Sequence, residues 1–383
     1  TISDEVVQDD IQRLGLHMDL HNYFDGAIKQ NLVEENFEGI INRHTTMILS
    51  RSGATLTIDA NIYDSDQFKG GKAYILNGPD RGKTFNILST TTETVRLSGN
   101  VHPESTGIML ERLLLNEGAS NHSKGGNLWS ERHDSSKYKQ VNFSSKSEFV
   151  SGDVAPGSFG NCAFRLNGSQ EDAQIEFIAL WPDAMDTDGI YEVEFQAKRV
   201  SGSPKFEISV MGQNRQEVAL SGSWKDYAES LTVTDPNQKV HIRFQANGGD
   251  VLLDNIIVRR RETHNNPTIY TDDFVEVIRE HQPGVLRLLQ NCPNTWENIT
   301  APKMFARASK SGVKNGIRNH SGVHDHIQFC EYVGAAPMFE LSGGMLPEEL
   351  EWFVEYLAGP TSTPGGAKRA EWGRQQPWTN TLE

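Results

Sequence analysis

The sequence predicts a multidomain, mostly β protein in which a β-sandwich and a smaller β module are inserted into an α/β domain. Three observations lead to this prediction. The chain has 383 residues, which is more than one hydrophobic core normally serves. Short strands recur at regular intervals up to residue 262, as is typical of a sandwich. Beyond residue 265 strands alternate with helices, which favours a parallel sheet.

The predicted domains divide the chain as follows. Residues 1–35 form a lead-in and the first strand of the α/β domain. The sandwich consists of residues 36–44 and 116–262, and residues 45–115 leave it to form the small β module, whose strands alternate with turns rich in Gly, Asp and Asn. The chain returns to the α/β domain at residues 263–383.

Helical and strand periodicities define the elements of that last segment. They predict helices at 271–280, 324–333 and 347–358 and strands at 285–289 and 337–341. The third helix begins at Pro347 with two glutamates in its first turn, which suits a helix N-terminus. Its pattern predicts that Leu350, Phe353, Val354 and Leu357 are buried.

The charge balance argues against a nucleic-acid partner. Lys and Arg total 36 against 51 Asp and Glu, giving a formal charge of -15, which repels polyphosphates. Three distant cysteines provide neither a disulfide framework nor a metal-ligand spacing. No run of residues approaches the roughly 20 apolar residues of a membrane span.

Several motifs after residue 284 occur in a fixed order. They are Arg287 and Asn298 within GVLRLLQNCPNTWEN, Phe329-Cys330-Glu331 followed by Gly334-Ala335, Pro347-Glu348-Glu349, and Gly373 before Pro377-Trp378. In order and spacing they resemble the second and third βα units of retaining barrel glycoside hydrolases related to α-L-arabinofuranosidases. The resemblance implies a TIM-barrel-type domain, cleavage of O-glycosyl bonds in a polysaccharide, no catalytic cofactor, and a secreted or cell-surface location.

One departure from the family pattern concerns the chemistry. In that family the acid/base Glu belongs to an Asn-Glu pair soon after the Pro-Trp motif, and the nucleophilic Glu follows much later. No Asn-Glu pair follows Trp378 here. A retaining glycosidase needs two carboxyl groups about 5 Å apart. We therefore expect an incomplete barrel without the catalytic pair, with Glu340 at a strand end as the remaining catalytic candidate.

The other strand ends supply candidate substrate contacts, because ligands of such barrels bind at the carboxyl ends of the strands. His17, Asp19 and His21 alternate along the first strand, so they share one face; this spacing also permits a zinc site, although a fourth ligand is missing. Trp296 could stack on a sugar ring or pack within its loop, with Asn298 as a hydroxyl partner. Arg287 could contact substrate or form a salt bridge inside the barrel wall.

A second resemblance concerns the sandwich. Trp224-Lys225-Asp226-Tyr227 followed by VHIRFQANGGDVLLDNIIVRR resembles the closing half of jelly-roll carbohydrate-binding modules, and Asn36-Phe37-Glu38-Gly39 resembles their opening strand. The resemblance implies a structural Ca²⁺ at Glu38 and Asp254, completed by backbone carbonyls. Trp181, beside Pro182 at a strand end, is the candidate stacking residue for sugar. Trp224 and Tyr227 are expected to face the core.

Two further expectations concern polar groups and assembly. His320, His324, Asp325 and His326 are interpreted as a solvated loop and helix start. A partial barrel would expose an unpaired edge strand, so a second copy or another chain is expected to cover it.

Three functions remain open on these observations. The chain could be the N-terminal part of a polysaccharide-degrading glycoside hydrolase. It could instead be a non-catalytic carbohydrate-binding or surface-attachment protein. The Gly-rich module at 45–115 also permits a structural assembly protein. A polysaccharide or oligosaccharide is the expected partner in the first two cases.

Overall fold

The computed structural model of the chain is rich in β-structure. It describes residues 15–18, 29, 37–38, 40–59, 62, 65–114, 127–129, 139–144, 147–170, 172–180, 186–210, 213–238, 240–262, 265–288, 295–306, 308–311, 317–318, 322–339 and 345–378. The strands in these ranges belong to four sheets of three, five, six and eight strands. None of the helices in the described ranges is long and apolar enough to span a membrane.

The strands are numbered in chain order. They are β1 Gly15–Met18, β2 Ile40–Ser52, β3 Thr55–Ile58, β4 Lys72–Ile75, β5 Thr84–Thr90, β6 Thr94–Leu97, β7 Gly107–Leu114, β8 Asn127–Trp129, β9 Lys139–Phe143, β10 Glu148–Ser151, β11 Cys162–Asn167, β12 Ala173–Leu180, β13 Gly189–Arg199, β14 Lys205–Val210, β15 Gln213–Glu217, β16 Lys225–Val233, β17 Val240–Asn247, β18 Asp250–Arg260, β19 Val285–Leu288, β20 Ala308–Ser311, β21 Ile317–Arg318 and β22 Ala336–Phe339. The helices are α1 Asp272–His281, α2 Trp296–Thr300, α3 Val323–Val333, α4 Pro347–Ala358 and α5 Pro364–Glu371.

Two antiparallel sheets share one hydrophobic core. Their strand orders are β10-β11-β18-β13-β16 and β15-β14-β17-β12-β9-β8. Along β13 the side chains of Val193 and Phe195 enter this core, whereas the alternate residues Glu192 and Glu194 point away from it. Ile242 and Phe244 of the opposite sheet join the same cluster. The alternation places apolar residues between the sheets and polar residues on both outer faces.

The segment 36–44, assigned as a whole to the sandwich on sequence grounds, divides between two sheets. Phe37 is fully buried in the core between the two antiparallel sheets, where its ring stacks on Phe164 with centroids 5.3 Å apart. Ile40–Ser52 instead forms one long strand of the eight-stranded sheet. Its first residues pair with β7 and β20, so residues 40–44 belong structurally to the small module.

The small module is a closed ring of six antiparallel strands. Pairing runs β2-β3-β6-β5-β4-β7, and β7 pairs again with β2. Closure follows from the length of β2, whose end at Ile48–Ser52 pairs with β3 while Ile40–Met47 pairs with β7. The interior is filled with apolar side chains such as Leu56, Val95 and Ile108, as expected in a barrel of this size.

The C-terminal segment contains the predicted parallel arrangement. β19 pairs in parallel with β1 on one side and with β22 on the other. Helices α1, α3 and α4 lie within one or two residues of their predicted positions. Three parallel strands are described; the complete barrel of TIM type stays a prediction. Of the side chains predicted to be buried in α4, Phe353 is 3% exposed and Leu357 packs partly buried against the same cluster, whereas Leu350 and Val354 are 43% and 54% exposed, so the prediction is wrong for these two.

The start of α3 is also buried, contrary to the expectation of a solvated helix start. His324, Asp325 and His326 are at most 3% exposed. The imidazole of His324 packs edge-on against Trp378, with ring centroids 5.4 Å apart. His326 donates from Nε2 to the carbonyl oxygen of Leu286 in β19, at 3.0 Å. The polar run faces inward because groups from distant parts of the chain cover it.

Candidate functional site

The outer face of the six-stranded sheet carries a patch of hydrogen-bonding side chains on its three central strands. Register places Ser209, Arg243 and Glu176 side by side across β14, β17 and β12. The neighbouring register row contains Glu207, Gln245 and Gln174, and His241 lies two residues before Arg243 on β17. We call this set the polar face; it comprises Gln174, Glu176, Glu207, Ser209, His241, Arg243 and Gln245.

Glu176 organises the centre of the polar face. One of its carboxylate oxygens lies 3.0 Å from His241 Nδ1, and the other accepts a bond from Arg243 Nε at 2.8 Å. These bonds and the positive charge of Arg243 lower the pKa of Glu176 against the opposing effect of burial. The carboxylate is therefore ionised and fixed in orientation at neutral pH.

His241 presents a hydrogen-bonding atom that the described part of the chain leaves without a partner. Its Nε2 is buried and forms no hydrogen bond there. A buried polar atom without a partner costs free energy, so it is a natural contact for a ligand hydroxyl or a bridging water. The polar face thus combines fixed acceptors, fixed donors and one unused position.

Both carboxyl groups of the predicted calcium site are buried and hydrogen-bonded. Asp254 is fully buried, and its carboxylate accepts bonds from the Ala155 amide at 3.0 Å and the Ser158 hydroxyl at 2.7 Å. Glu38 is 3% exposed and accepts from the Cys162 amide at 2.7 Å. Burial, assisted by the negative charge of Glu38, raises the pKa of Asp254 to about 6.

A cation between these two carboxylates would offset their repulsion, and all-oxygen ligation suits Ca²⁺. Within the described ranges no three His, Cys, Asp or Glu side chains form a metal-binding group. The two carboxylates therefore fit Ca²⁺ only with backbone carbonyls or water as the remaining ligands.

The residues predicted at the carboxyl ends of the parallel strands have different surroundings. Arg287 is half-buried in β19, in register between His17 and Met338. Trp296 is 1% exposed and packs on Phe353, with ring centroids 4.6 Å apart. The indole thus occupies the protein interior, as the loop-packing alternative expects, and its face is not open to solvent.

Other predicted residues lie in the same region or outside the described ranges. Asn298 is 4% exposed in α2, where its backbone N–H donates to the hydroxyl of the N-cap residue Thr295 at 3.2 Å. The structure describes the backbone of His17 but not its side chain. Asp19, His21, Trp181, His320 and Glu340 lie outside the described residues.

Trp224 differs from its expected orientation. Its indole nitrogen donates to Asp153 at 3.1 Å, and the Lys198 ammonium lies 5.5 Å from the ring centroid. Tyr227 does pack against the core, stacking on Phe195 with centroids 5.4 Å apart. Trp224 precedes the strand Lys225–Val233, whereas Tyr227 lies within it.

Sequence reasoning missed the polar face, although part of its signal is visible. In AQIEFIAL and VHIRFQAN polar residues alternate with apolar ones, which identifies outward-facing positions. The sequence does not give the register that brings Glu176 beside Arg243, because their strands lie far apart in the chain.

The comparisons with known proteins return structural neighbours at low similarity. No protein-family model matches the chain, and no curated protein matches it. An arabinose-bound MgGH51 α-L-arabinofuranosidase superposes with 11% identity and a TM-score of 0.45, covering 69% of this chain and 51% of that one. The chain therefore spans about half the length of that enzyme.

Two further neighbours cover smaller parts of the chain. The CBM22-1 xylan-binding domain of Paenibacillus barcinonensis Xyn10C has 13% identity and a TM-score of 0.26, covering 37% of this chain and 99% of that domain. The α-L-arabinofuranosidase of Thermotoga maritima, in complex with arabinose, has 19% identity and a TM-score of 0.26, covering 30% and 26%. The neighbours thus include a glycoside hydrolase group and a carbohydrate-binding module, at a level that establishes only a weak structural relationship.

Proposed function

We propose that this chain binds a neutral saccharide on the polar face of its six-stranded sheet. The observation that carries the proposal is the Glu176, His241 and Arg243 cluster, in which His241 Nε2 is buried without a partner in the described part of the chain. Sugar hydroxyl groups both donate and accept hydrogen bonds, so they match a surface that offers carboxylate, amide, guanidinium and imidazole groups together. The net charge of -15 favours a neutral over an anionic polymer at this surface.

The proposal has a direct test in a glycan array probed with the intact chain, followed by titration calorimetry on the best ligand. Glu176→Gln keeps the shape of the side chain but removes a charged acceptor. Such bonds contribute about 1.5–3 kcal/mol, so affinity should fall by about tenfold or more.

Glu192→Gln is the matched control. Glu192 lies on the outer face of the other sheet and pairs with Arg261 at 2.9 Å, so it reproduces the chemistry at a different place. Affinity should be unchanged in this variant. Equal affinity in the parent chain, Glu176→Gln and Arg243→Gln would overturn the assignment to the polar face.

A second candidate function rests on the parallel strands β1, β19 and β22 with their intervening helices. Because its motifs resemble those of barrel glycoside hydrolases related to α-L-arabinofuranosidases, this unit would be part of a TIM-barrel-type enzyme that cleaves O-glycosyl bonds. The antiparallel sheets would then be an inserted jelly-roll module. Such a protein acts on extracellular polysaccharide, which supports a secreted or cell-surface location. If the parent chain hydrolyses aryl glycosides and Glu340→Gln abolishes this turnover, Glu340 is catalytic. If the parent chain shows no turnover, saccharide binding is the function.

We also propose that Glu38 and Asp254 hold a structural Ca²⁺. The support is the burial of two neighbouring carboxylates, which a divalent cation would neutralise. A ligand that binds only the folded chain raises its melting temperature. Excess chelator should therefore lower the melting temperature of the intact chain, and added Ca²⁺ should restore it.

A further inference from the structure

One end of the six-stranded barrel is lined by polar side chains that point inward. On β2, Asn42 and His44 lie on the same face as Ile48, because side chains two residues apart point the same way. Ile48 belongs to the barrel core, so this face is the interior. On β7, Arg112 lies directly opposite Asn42 in register and on the same face as the core residue Leu110.

These polar side chains are buried and connected. Asn42 is fully buried, and His44 and Gln67 are 9% and 7% exposed. The Gln67 amide donates to Asn42 Oδ1 at 3.4 Å. Arg112 Nη1 donates to the carbonyl oxygens of Asp66 and Gln67 at 3.1 and 3.3 Å. The segment containing Gln67 is thereby fixed across this end of the barrel.

Two nitrogen atoms in this group have no hydrogen-bond partner in the part of the chain that the structure describes. They are Asn42 Nδ2 and His44 Nε2. Both residues lie on one strand, two positions apart, so the two atoms belong to the same end of the barrel. Buried polar groups in native proteins are nearly always paired with protein, ligand or ordered water.

The side chains at this end of the barrel offer hydrogen-bond donors. The Asn42 amide nitrogen can only donate, the guanidinium of Arg112 can only donate, and the neutral imidazole of His44 can donate from Nε2. The neighbouring carboxylate of Glu111 lies on the opposite face of β7 and binds Arg43 at 2.7 Å. A group that offers two acceptor oxygens and a negative charge therefore complements this interior.

We propose that Asn42, His44 and Arg112 bind a carboxylate group at the polar end of the barrel. The group belongs either to a free small carboxylic acid or to a uronic acid unit of a saccharide. The site is separate from the polar face, which lies on another sheet, and does not depend on the function assigned to that face.

Titration calorimetry of the full chain with acetate, galacturonate and galactose tests the proposal. Both acids should bind and galactose should not. Similar affinities for the acids would identify a small carboxylic acid as the ligand class, whereas much tighter binding of galacturonate would identify a uronic acid. The absence of heat with both acids, or equal binding of galactose and galacturonate, would overturn the proposal.

Variants locate the binding. Asn42→Leu should weaken acid binding by at least about tenfold, because it removes a donor to the acid; since it also removes the acceptor of the Gln67 side-chain amide, the melting temperature of the variant is measured to confirm that it folds. Arg112→Met should weaken it as well, which provides a second test if one variant fails to fold. Thr46→Val is the matched control: Thr46 lies on the same face of β2, but its hydroxyl already donates to the Asp59 carbonyl at 2.7 Å.

Binding must also survive Glu176→Gln, since that residue belongs to the polar face. Unchanged acid binding in both Asn42→Leu and Arg112→Met would show that the acids bind elsewhere and would refute the site.

Discussion

Arg43 and Glu349 form a bidentate ion pair between residues 306 positions apart in the chain, with nitrogen to oxygen distances of 3.0 and 2.8 Å. Arg43 lies on β2 of the barrel and Glu349 in the first turn of α4. The Glu349 carboxylate also accepts from the amides of Trp296 and Leu346, at 3.4 and 3.0 Å. The Glu349 carboxylate thus joins the barrel strand β2 to the segments that follow β19 and β22.

Arg43→Met is expected to loosen this joint. It leaves the carboxylates of Glu111 and Glu349 partly buried without their shared cation, which costs about 3–5 kcal/mol in comparable pairs. Amide hydrogen exchange at Trp296 and Leu346 should accelerate, because both amides donate to Glu349.

Arg261→Met is the control for that experiment. Its pair with Glu192 is 50% and 40% exposed, and exposed pairs contribute about 0–1 kcal/mol. Exchange at Trp296 should be unaffected. If both variants change exchange and stability to the same extent, Arg43 has no special role in the joint.

The Asp254 carboxyl group should make stability depend on both pH and Ca²⁺. Its pKa is about 6 in the folded chain against 3.8 when unfolded, so between these values only the folded chain retains the proton. Without divalent cations, the contribution of Asp254 to the free energy of unfolding should therefore fall as pH rises from 3.8 to about 6. Ca²⁺ should reverse the loss above pH 6, where the carboxylate is ionised.

Melting temperatures of the parent chain and of Asp254→Asn between pH 4 and 7, in chelator and in Ca²⁺, measure this effect: in chelator, the difference between the two proteins should change between pH 4 and 6, with the parent chain losing stability relative to the variant as pH rises. Identical curves with and without Ca²⁺ at pH 7 would exclude the metal site.

The two buried histidines of α3 predict a loss of stability in acid. Burial lowers the pKa of His324 and of His326 from 6.5 to about 4. Between these values the unfolded chain binds protons at these two positions that the folded chain does not, so the contribution of the two histidines to stability should fall as pH decreases through this window. Arg374 adds to the shift at His324, whereas the raised pKa of Asp325, about 6, acts in the opposite direction.

Replacing each histidine by Phe separates these effects. The melting temperature at pH 4, relative to that at pH 7, should be higher in both variants than in the parent chain and unchanged in His281→Gln, whose imidazole is exposed. A slope that persists in the double variant would assign the acid sensitivity to other groups.

Gly322→Ala should be strongly destabilising. A Cβ at this position would lie 1.7 Å from the carbonyl oxygen of Ala301, which is backbone and cannot move aside easily. Relieving such an overlap costs about 1–3 kcal/mol or more. Gly222→Ala is the control, since its nearest neighbour is the Arg199 side chain at 3.9 Å. Thermal unfolding of both variants gives the comparison, and equal melting temperatures would contradict the predicted overlap.

The sequence predicts elements whose signals are local. The helix Pro347–Ala358 has a proline and glutamates at its start, and the strands Val285–Leu288 and Ala336–Phe339 have the expected parallel pairing. Periodicity and capping residues lie within these segments, so no distant contact is needed to identify them.

Features that depend on distant pairing could not be predicted. The ring requires Ile40–Met47 to pair with β7, and nothing within either strand specifies its partner. His324 and His326 form a polar run that reads as exposed, but Trp378 and β19 cover them. The polar face likewise depends on the register between β12 and β17. In each case local composition is compatible with several environments, and the tertiary fold selects one.

The long strand β2 determines whether the barrel can be removed from this chain and placed in another protein. One side of β2 hydrogen-bonds to β20 along Ile40–Arg43 and to β3 further along, so the module and the C-terminal segment share a strand. Removal of the barrel would leave β20 without its paired strand β2. The backbone groups of β20 would then form an unpaired edge that can associate with another chain. Domain-swapping experiments should therefore move residues 308–318 together with the barrel or replace them with a capped loop.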